Sequence, residues 1–129
     1  MDSKKTAIAY VDGSYNKQTN LAGYGVCLFC DGVCHEFSGS IALEDGKLGN
    51  AAGELESALV AVQRAIESHC TDVVIVYDFG SIETLVIGSS TPKNSFCKRY
   101  VDKMTEYKNH INVIFAYSKS HCGNKRHNR

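Results

Sequence analysis

Three carboxylates stand where they could act on one substrate. Asp12 ends the apolar run Thr6-Ala-Ile-Ala-Tyr-Val-Asp12, Asp78 ends a second such run, Asp72-Val-Val-Ile-Val-Tyr-Asp78, and Glu54 enters a helical stretch between them. Ligands of open sheets bind outside the carboxyl ends of parallel strands, so these two strands as parallel neighbours would set Asp12 beside Asp78. At about 100° per residue, Glu54 falls on the margin of its helix's apolar stripe, among Ala58, Ala61 and Ala65, and can reach the same sheet edge. Glu56 instead projects with Gln63 and Glu67 towards solvent and is rejected as a functional acid. Converging carboxylates repel, and they stay ionised in a partly dry pocket only beside a cation. Ligands that are all oxygen suit Mg²⁺ or Mn²⁺ rather than zinc. Two such ions about 4 Å apart can activate water and stabilise both oxygens of a phosphodiester in an in-line displacement. Singly, each acid has a plainer explanation: an Asx turn at Asp12, a helix N-terminal acid at Glu54, a strand-end cap at Asp78. Their joint arrangement favours the metal site.

The elements that must position these acids follow from periodicity. Thr6 to Asp12 is apolar on both faces, which predicts a strand in the middle of a sheet, closed by the turn signal Asp-Gly-Ser. A loop from Lys17 to Gly23 leads into a hairpin from Tyr24 to Phe37, turning at Asp31-Gly32, with Phe37 to Ile41 as an extension or bend. A polar link from Glu44 to Gly49 precedes a helix over Asn50 to Ser68, whose apolar stripe is Ala51, Leu55, Ala58, Leu59, Val62 and Ile66. The strand Asp72 to Asp78 follows, then a short helix over Ser81 to Ile87. A second long helix spans Ser95 to Asn109, with Phe96, Tyr100, Met104 and Tyr107 on one side, and a last strand runs from Ile111 to Ser118. Three strands with hairpin signals, followed by strands joined through helices, make an α/β class with a five-stranded mixed sheet. The 129 residues, 43% of them hydrophobic and 22% charged, suit one domain over 1–129 with one core.

Charge and cysteine usage bound the setting. The formal net charge of zero conceals an asymmetry: residues 1–91 hold five Lys/Arg against twelve Asp/Glu, and residues 92–129 hold nine against two, so the parts carry −7 and +7. An acidic part that can house cations thus adjoins a basic part that can follow phosphates. The basic stretch Lys119, Lys125, Arg126 and Arg129 near His121 is a candidate phosphate track, with a solvated basic face as the alternative. Without a cleavable signal after Met1-Asp-Ser-Lys-Lys, or an apolar run of about 18 residues, the expected location is cytoplasmic, with no membrane. Six cysteines are then expected to be reduced thiols. Cys27, Cys30 and Cys34 with His35 have some zinc-like spacing, but strand alternation sends Cys27 and Cys30 to opposite faces. The cysteines are therefore expected to be small buried apolar side chains.

Tyr10-Val-Asp-Gly-Ser-Tyr-Asn16, Gly23-Tyr-Gly-Val26, Asn50-Ala-Ala-Gly-Glu-Leu55, Tyr77-Asp78 and Ser120-His-Cys-Gly123 occur in an order and spacing that resembles type I ribonuclease H, over nearly the whole chain. The resemblance is to compact bacterial forms, because the region between Gly88 and Ser95 is short. It implies a ribonuclease H-like fold and endonucleolytic hydrolysis of the RNA strand of RNA–DNA hybrids, leaving 3′-hydroxyl and 5′-phosphate ends. It implies that Asp12, Glu54 and Asp78, with the Gly13 backbone, bind two Mg²⁺ ions for which Mn²⁺ can substitute. It further implies that His121 assists catalysis or product release from a loop. Ser14, Tyr15, Asn16 and Asn50, with Lys119, Lys125 and Arg126, are the expected substrate contacts; an Asn in the position of Asn50 can equally be a helix cap. A monomer without a protein partner is expected. One part of the pattern departs. The family carries a fourth metal-binding Asp downstream of the loop histidine; Asn128 resembles the Asn of that motif, but the acid is not in the sequence, which runs to Arg129. Truncation, a three-carboxylate site with a preference for Mn²⁺, and a catalytically impaired hybrid- or RNA-binding module are the alternatives this leaves.

Overall fold

The computed structural model describes residues 4–42, 50–77 and 95–118. Its elements are β1 (Thr6–Asn16), β2 (Leu21–Cys30), β3 (Val33–Ala42), α1 (Asn50–Glu67), β4 (Asp72–Tyr77), α2 (Ser95–Tyr107) and β5 (Asn112–Tyr117). They form a five-stranded sheet in the order β3-β2-β1-β4-β5. β1, β2 and β3 are antiparallel, and β4 is parallel to both β1 and β5. The class is therefore the mixed α/β one expected. The link predicted over 44–49 and the short helix predicted over 81–87 lie outside the described residues.

The first hairpin follows from its turn. Asp31 and Gly32 have φ of 56° and 78°, the pair of positive values that a two-residue turn of type I′ requires, so β2 and β3 pair in register from Cys30↔Val33 to Leu21↔Ala42. β1 is longer than expected. Asp-Gly-Ser does not end it; the ladder to β2 continues through Ser14↔Gly23 to Asn16↔Leu21. The turn lies at 17–20 instead, where Asn16 Oδ1 accepts from the backbone N–H of Gln18 at 2.9 Å and Asn20 takes φ 57°.

Strand alternation divides the sheet into two unlike faces. On one, Ala7, Ala9 and Val11 of β1, Val26 and Leu28 of β2, and Val73 and Ile75 of β4 pack beneath α1, whose Leu55, Ala58, Leu59 and Val62 are buried. α2 adds Cys97, Tyr100 and Met104 to the same core. Alanines on both strand and helix let α1 lie close to β1. Buried Cys30 and Cys70 meet here with sulfurs 3.5 Å apart, and burial, with Cys30 beside it, pushes the Cys70 thiol up to about 11. On the other face, Ile8, Tyr10, Phe29 and Ile114 are 36–40% exposed. β1 is central in the sheet as its sequence indicates, yet among the described residues only one of its faces is covered.

The start of the parallel half is tied by Asp72. Its carboxylate accepts from Asn112 Nδ2 at 2.8 Å and from Thr71 Oγ1 at 2.7 Å, joining the first residues of β4 and β5. These two hydrogen bonds, together with the Lys4 ammonium, hold the carboxyl below the usual Asp range. A group whose pKa is lower folded than unfolded stabilises above its unfolded pKa, about 3.9, and that contribution is lost as pH falls through the folded value. Asp72→Asn is therefore expected to lower the melting temperature at pH 7, with the gap to the parent closing as pH is taken well below 4. Thermal melts of both proteins across that range check this.

Candidate functional site

Among the described pairings, the two ladders of β1 differ in length beside Asp12. β1 pairs with β4 from Thr6↔Asp72 to Tyr10↔Val76, whereas its ladder to β2 runs six residues further, so the segment from Val11 onward is held on one side only by the described pairings. Strand order also reverses here, since the chain moves outward from β1 to β3 and returns across α1 to β4 on the far side. Asp12 is exposed, and its Oδ1 accepts from the Gly13 backbone N–H at 3.0 Å. It shares a groove of about 590 Å³ with Tyr10, Cys27, Phe29, Glu36 and Ser38, a size usual for ligand sites.

The α1 turn that carries Glu54 rests on the same strand segment. A methyl placed on Gly53 would overlap the Gly23 carbonyl oxygen and lie 3.1 Å from Gly13 Cα, so the first turn of α1 rests backbone to backbone on β1 and β2. The next residue is Glu54, only 5% exposed, in agreement with its expected position at the margin of the apolar stripe. That stripe is wider than the sequence suggested, with Ala52, Ser57, Ala61 and Ala65 also buried. Asp12 and Glu54 each offer carboxylate oxygens, the ligand type that suits a hard cation.

Glu56 departs from expectation. It does not project freely into solvent: its carboxylate accepts from Arg99 Nη1 at 3.1 Å, tying α1 to α2, with the Glu56 side chain only 14% exposed. It remains away from the Asp12 groove. An ion pair with a half-exposed arginine is worth at most about 1 kcal/mol, so Glu56→Gln is expected to lower stability by no more than that. Cleavage assays on the variant should give the parental rate.

The remaining predicted residues fall into three groups. Ser14 is exposed, with its Oγ against Gly23, and Tyr15 donates its hydroxyl to Asn20 Oδ1 at 2.8 Å. The Oδ1 of Asn16 is occupied by the 17–20 turn, which leaves its amide nitrogen as the group for a ligand. Asn50 is the first residue of α1. Asp78, His121, Lys119, Lys125 and Arg126 lie outside the described residues. Sequence reasoning missed the part played by Gly53; the signal was a glycine among alanines in the first turn of a helix, where a close approach to the sheet needs no side chain.

No family model matches the chain, and no curated protein matches it in sequence. Solved structures match it in fold. RNase H1 from the halophilic archaeon Halobacterium salinarum superposes with a TM-score of 0.76 at 18% identity, over 91% of this chain and 88% of that one. The N-terminal RNase H domain of a Mycobacterium tuberculosis protein gives 0.75 at 13%, over 89% and 83%. LC11-RNase H1, solved in complex with an RNA/DNA hybrid, gives 0.72 at 21%, over 90% and 87%. The fold of this chain is that of ribonuclease H.

Proposed function

We propose that the protein is a divalent-metal-dependent endonuclease that hydrolyses the RNA strand of RNA–DNA hybrids, leaving 3′-hydroxyl and 5′-phosphate ends. The observation that carries this is the placement of exposed Asp12 on β1 and of buried Glu54 in the α1 turn that rests on β1, in a fold shared with an RNase H1 whose structure contains a hybrid. Asp78, next in sequence after β4, would be the third carboxylate.

The donor set fits the ions. It is all oxygen, and it includes a carboxylate only 5% exposed, whose burial is costly unless its charge is compensated. Asp12, Glu54 and Asp78, with the Gly13 backbone, would hold two Mg²⁺ ions, or Mn²⁺ in their place. When bound, such ions supply activation of water and neutralisation of the developing charge on the phosphodiester. The chain's own groups then orient the substrate. Gly13, Ser14 and Tyr15 would offer backbone groups on the side of β1 that no described strand pairs, Asn16 its amide nitrogen, and Asn50 a contact from the start of α1. Lys119, Lys125 and Arg126 would bind flanking phosphates, so affinity for the hybrid should fall with salt. His121 would move a proton at the departing oxygen, a role its side chain suits near neutral pH.

Labelled RNA–DNA hybrid, duplex RNA and duplex DNA, each incubated with Mg²⁺ and separately with Mn²⁺, test this. Cleavage confined to the RNA strand of the hybrid is expected, and the ratio of the two rates reads the metal preference. Hybrid that is bound but uncut with either ion would make the chain a binding module and sink the nuclease assignment.

A further inference from the structure

On the open face of the sheet, the strands β2 and β3 bring two thiols and a carboxylate together. Cys27 stands directly opposite Glu36, and Cys34 opposite Phe29, so all three ligand-bearing side chains emerge on the face away from α1. The Cys27 and Cys34 sulfurs are 2.8 Å apart, and one ligand atom from each of the three residues lies within 4.8 Å of the others. Cys27 is half-buried, whereas Cys34 and Glu36 are exposed. Cysteines as buried apolar filler describe Cys30, Cys70 and Cys97, but not Cys34. His35, by contrast, is paired with Leu28 and belongs to the helix side, while Cys30 is buried there. The cysteine cluster singled out in the sequence is thus split by the pleat as expected, and Glu36, which that spacing did not suggest, joins the half that remains.

We propose that Cys27, Cys34 and Glu36 form a binding site for one thiophilic divalent ion of the Zn²⁺ class, distinct from the oxygen-only Asp12 and Glu54 site. Register distinguishes this from a disulfide. Cys27 and Cys34 are diagonal neighbours, not direct partners, and diagonal positions stand about 7–8 Å apart, beyond the spacing of up to about 6.8 Å that a disulfide usually spans. Two metal–sulfur bonds of about 2.3 Å at a tetrahedral angle hold sulfurs about 3.8 Å apart, so the thiols need only part by about 1 Å. Glu36, facing Cys27 across the ladder, supplies the third bond. Binding deprotonates both thiols and releases two protons to solvent; the two thiolates neutralise the ion, and the carboxylate leaves the complex with one net negative charge. The fourth position opens on the groove that Cys27 and Glu36 line together with Asp12, and takes water. Thiolate selects against Mg²⁺, and all-carboxylate ligation selects against a soft ion, so the two sites fill independently.

This does not depend on the nuclease assignment. The full chain, reduced with a phosphine, is titrated with Co²⁺ and then with Zn²⁺. A near-ultraviolet thiolate-to-cobalt charge-transfer band saturating at one ion per chain, and erased by Zn²⁺, is expected. Cys34→Ser, at an exposed position, and Cys27→Ala should each abolish the band while circular dichroism shows the fold retained. Glu36→Gln should weaken Co²⁺ binding by more than about tenfold, the loss that even outer partners of a ligand can cause. Asp12→Asn, Cys70→Ser and Cys122→Ser should keep the band. Absence of the band in the parent, its survival in Cys34→Ser, or a Cys27–Cys34 disulfide under these reducing conditions would overturn the site.

Discussion

Asp12→Asn is expected to lower the rate of hybrid cleavage by about three orders of magnitude or more with either ion, which at 1.36 kcal/mol per tenfold is the several kcal/mol a metal-held reaction can lose. The substitution is close to isosteric. An amide oxygen can still accept the Gly13 N–H that Asp12 Oδ1 now accepts at 3.0 Å, so the strand has no reason to change course. What disappears is one negative charge from the carboxylates proposed to hold the cations. Because Asp12 is exposed and outside the core, its stability effect should stay within about 0.5 kcal/mol, the range of surface substitutions. The decisive measurement pairs cleavage kinetics with a thermal melt. A variant that cuts within tenfold of the parent, or one that loses activity only because it unfolds, contradicts the assignment of Asp12 as a metal ligand. Glu56→Gln provides the contrast, since it removes the same charge from a carboxylate committed to Arg99. Interchanged phenotypes would mean that the functional face of α1 has been misidentified.

The fold was legible wherever a residue pattern had one physical solution. Asp31-Gly32 could turn only with two positive φ values and so set the register of the hairpin. The β-branched run from Asp72 to Tyr77 needed a buried parallel position, and the stripe from Leu55 to Val62 needed a sheet beneath it. The pattern misled where a local signal competed with a partner strand. Asp-Gly-Ser is a turn sequence in isolation, but β2 supplies a ladder partner for each of those residues, and tertiary pairing wins. Glu56 misled for a similar reason: the helical wheel showed it leaving the apolar stripe, and could not show that α2 carries Arg99 to meet it. Of the candidate site, the burial of Glu54 could be read from helical spacing. The thiol and carboxylate cluster could not, because the partner of Cys27 is fixed by cross-strand register and lies nine residues away in sequence.

Gly53→Ala is expected to damage both stability and activity, against the sign that helix propensity alone predicts. Alanine favours a helix interior over glycine by about 1 kcal/mol, so in an isolated α1 the substitution would help. In the folded chain the added methyl overlaps the Gly23 carbonyl oxygen and lies 3.1 Å from Gly13 Cα, and both neighbours are backbone in a paired ladder, unable to rotate aside. Relief requires the first turn of α1 to lift off the sheet. Overpacking of this kind costs about 1–3 kcal/mol, and lifting the turn also uncovers Ala52 and Leu55, so a net loss of about 2 kcal/mol is expected, or roughly 5–10 °C in melting temperature. The kinetic loss should exceed what unfolding explains. Glu54 follows Gly53 directly, and displacement of about 1 Å can cost two orders of magnitude in rate where geometry is critical. Assays well below the variant's melting temperature separate the two effects. Gly25→Ala is the stability control: it lies beside Asp12 in the ladder, yet a methyl there meets none of the described residues within 4 Å. Its melting temperature should match or exceed the parent's. Equal melting temperatures and equal rates for Gly53→Ala and the parent would show that the backbone contact neither sets the seat of α1 nor aims Glu54.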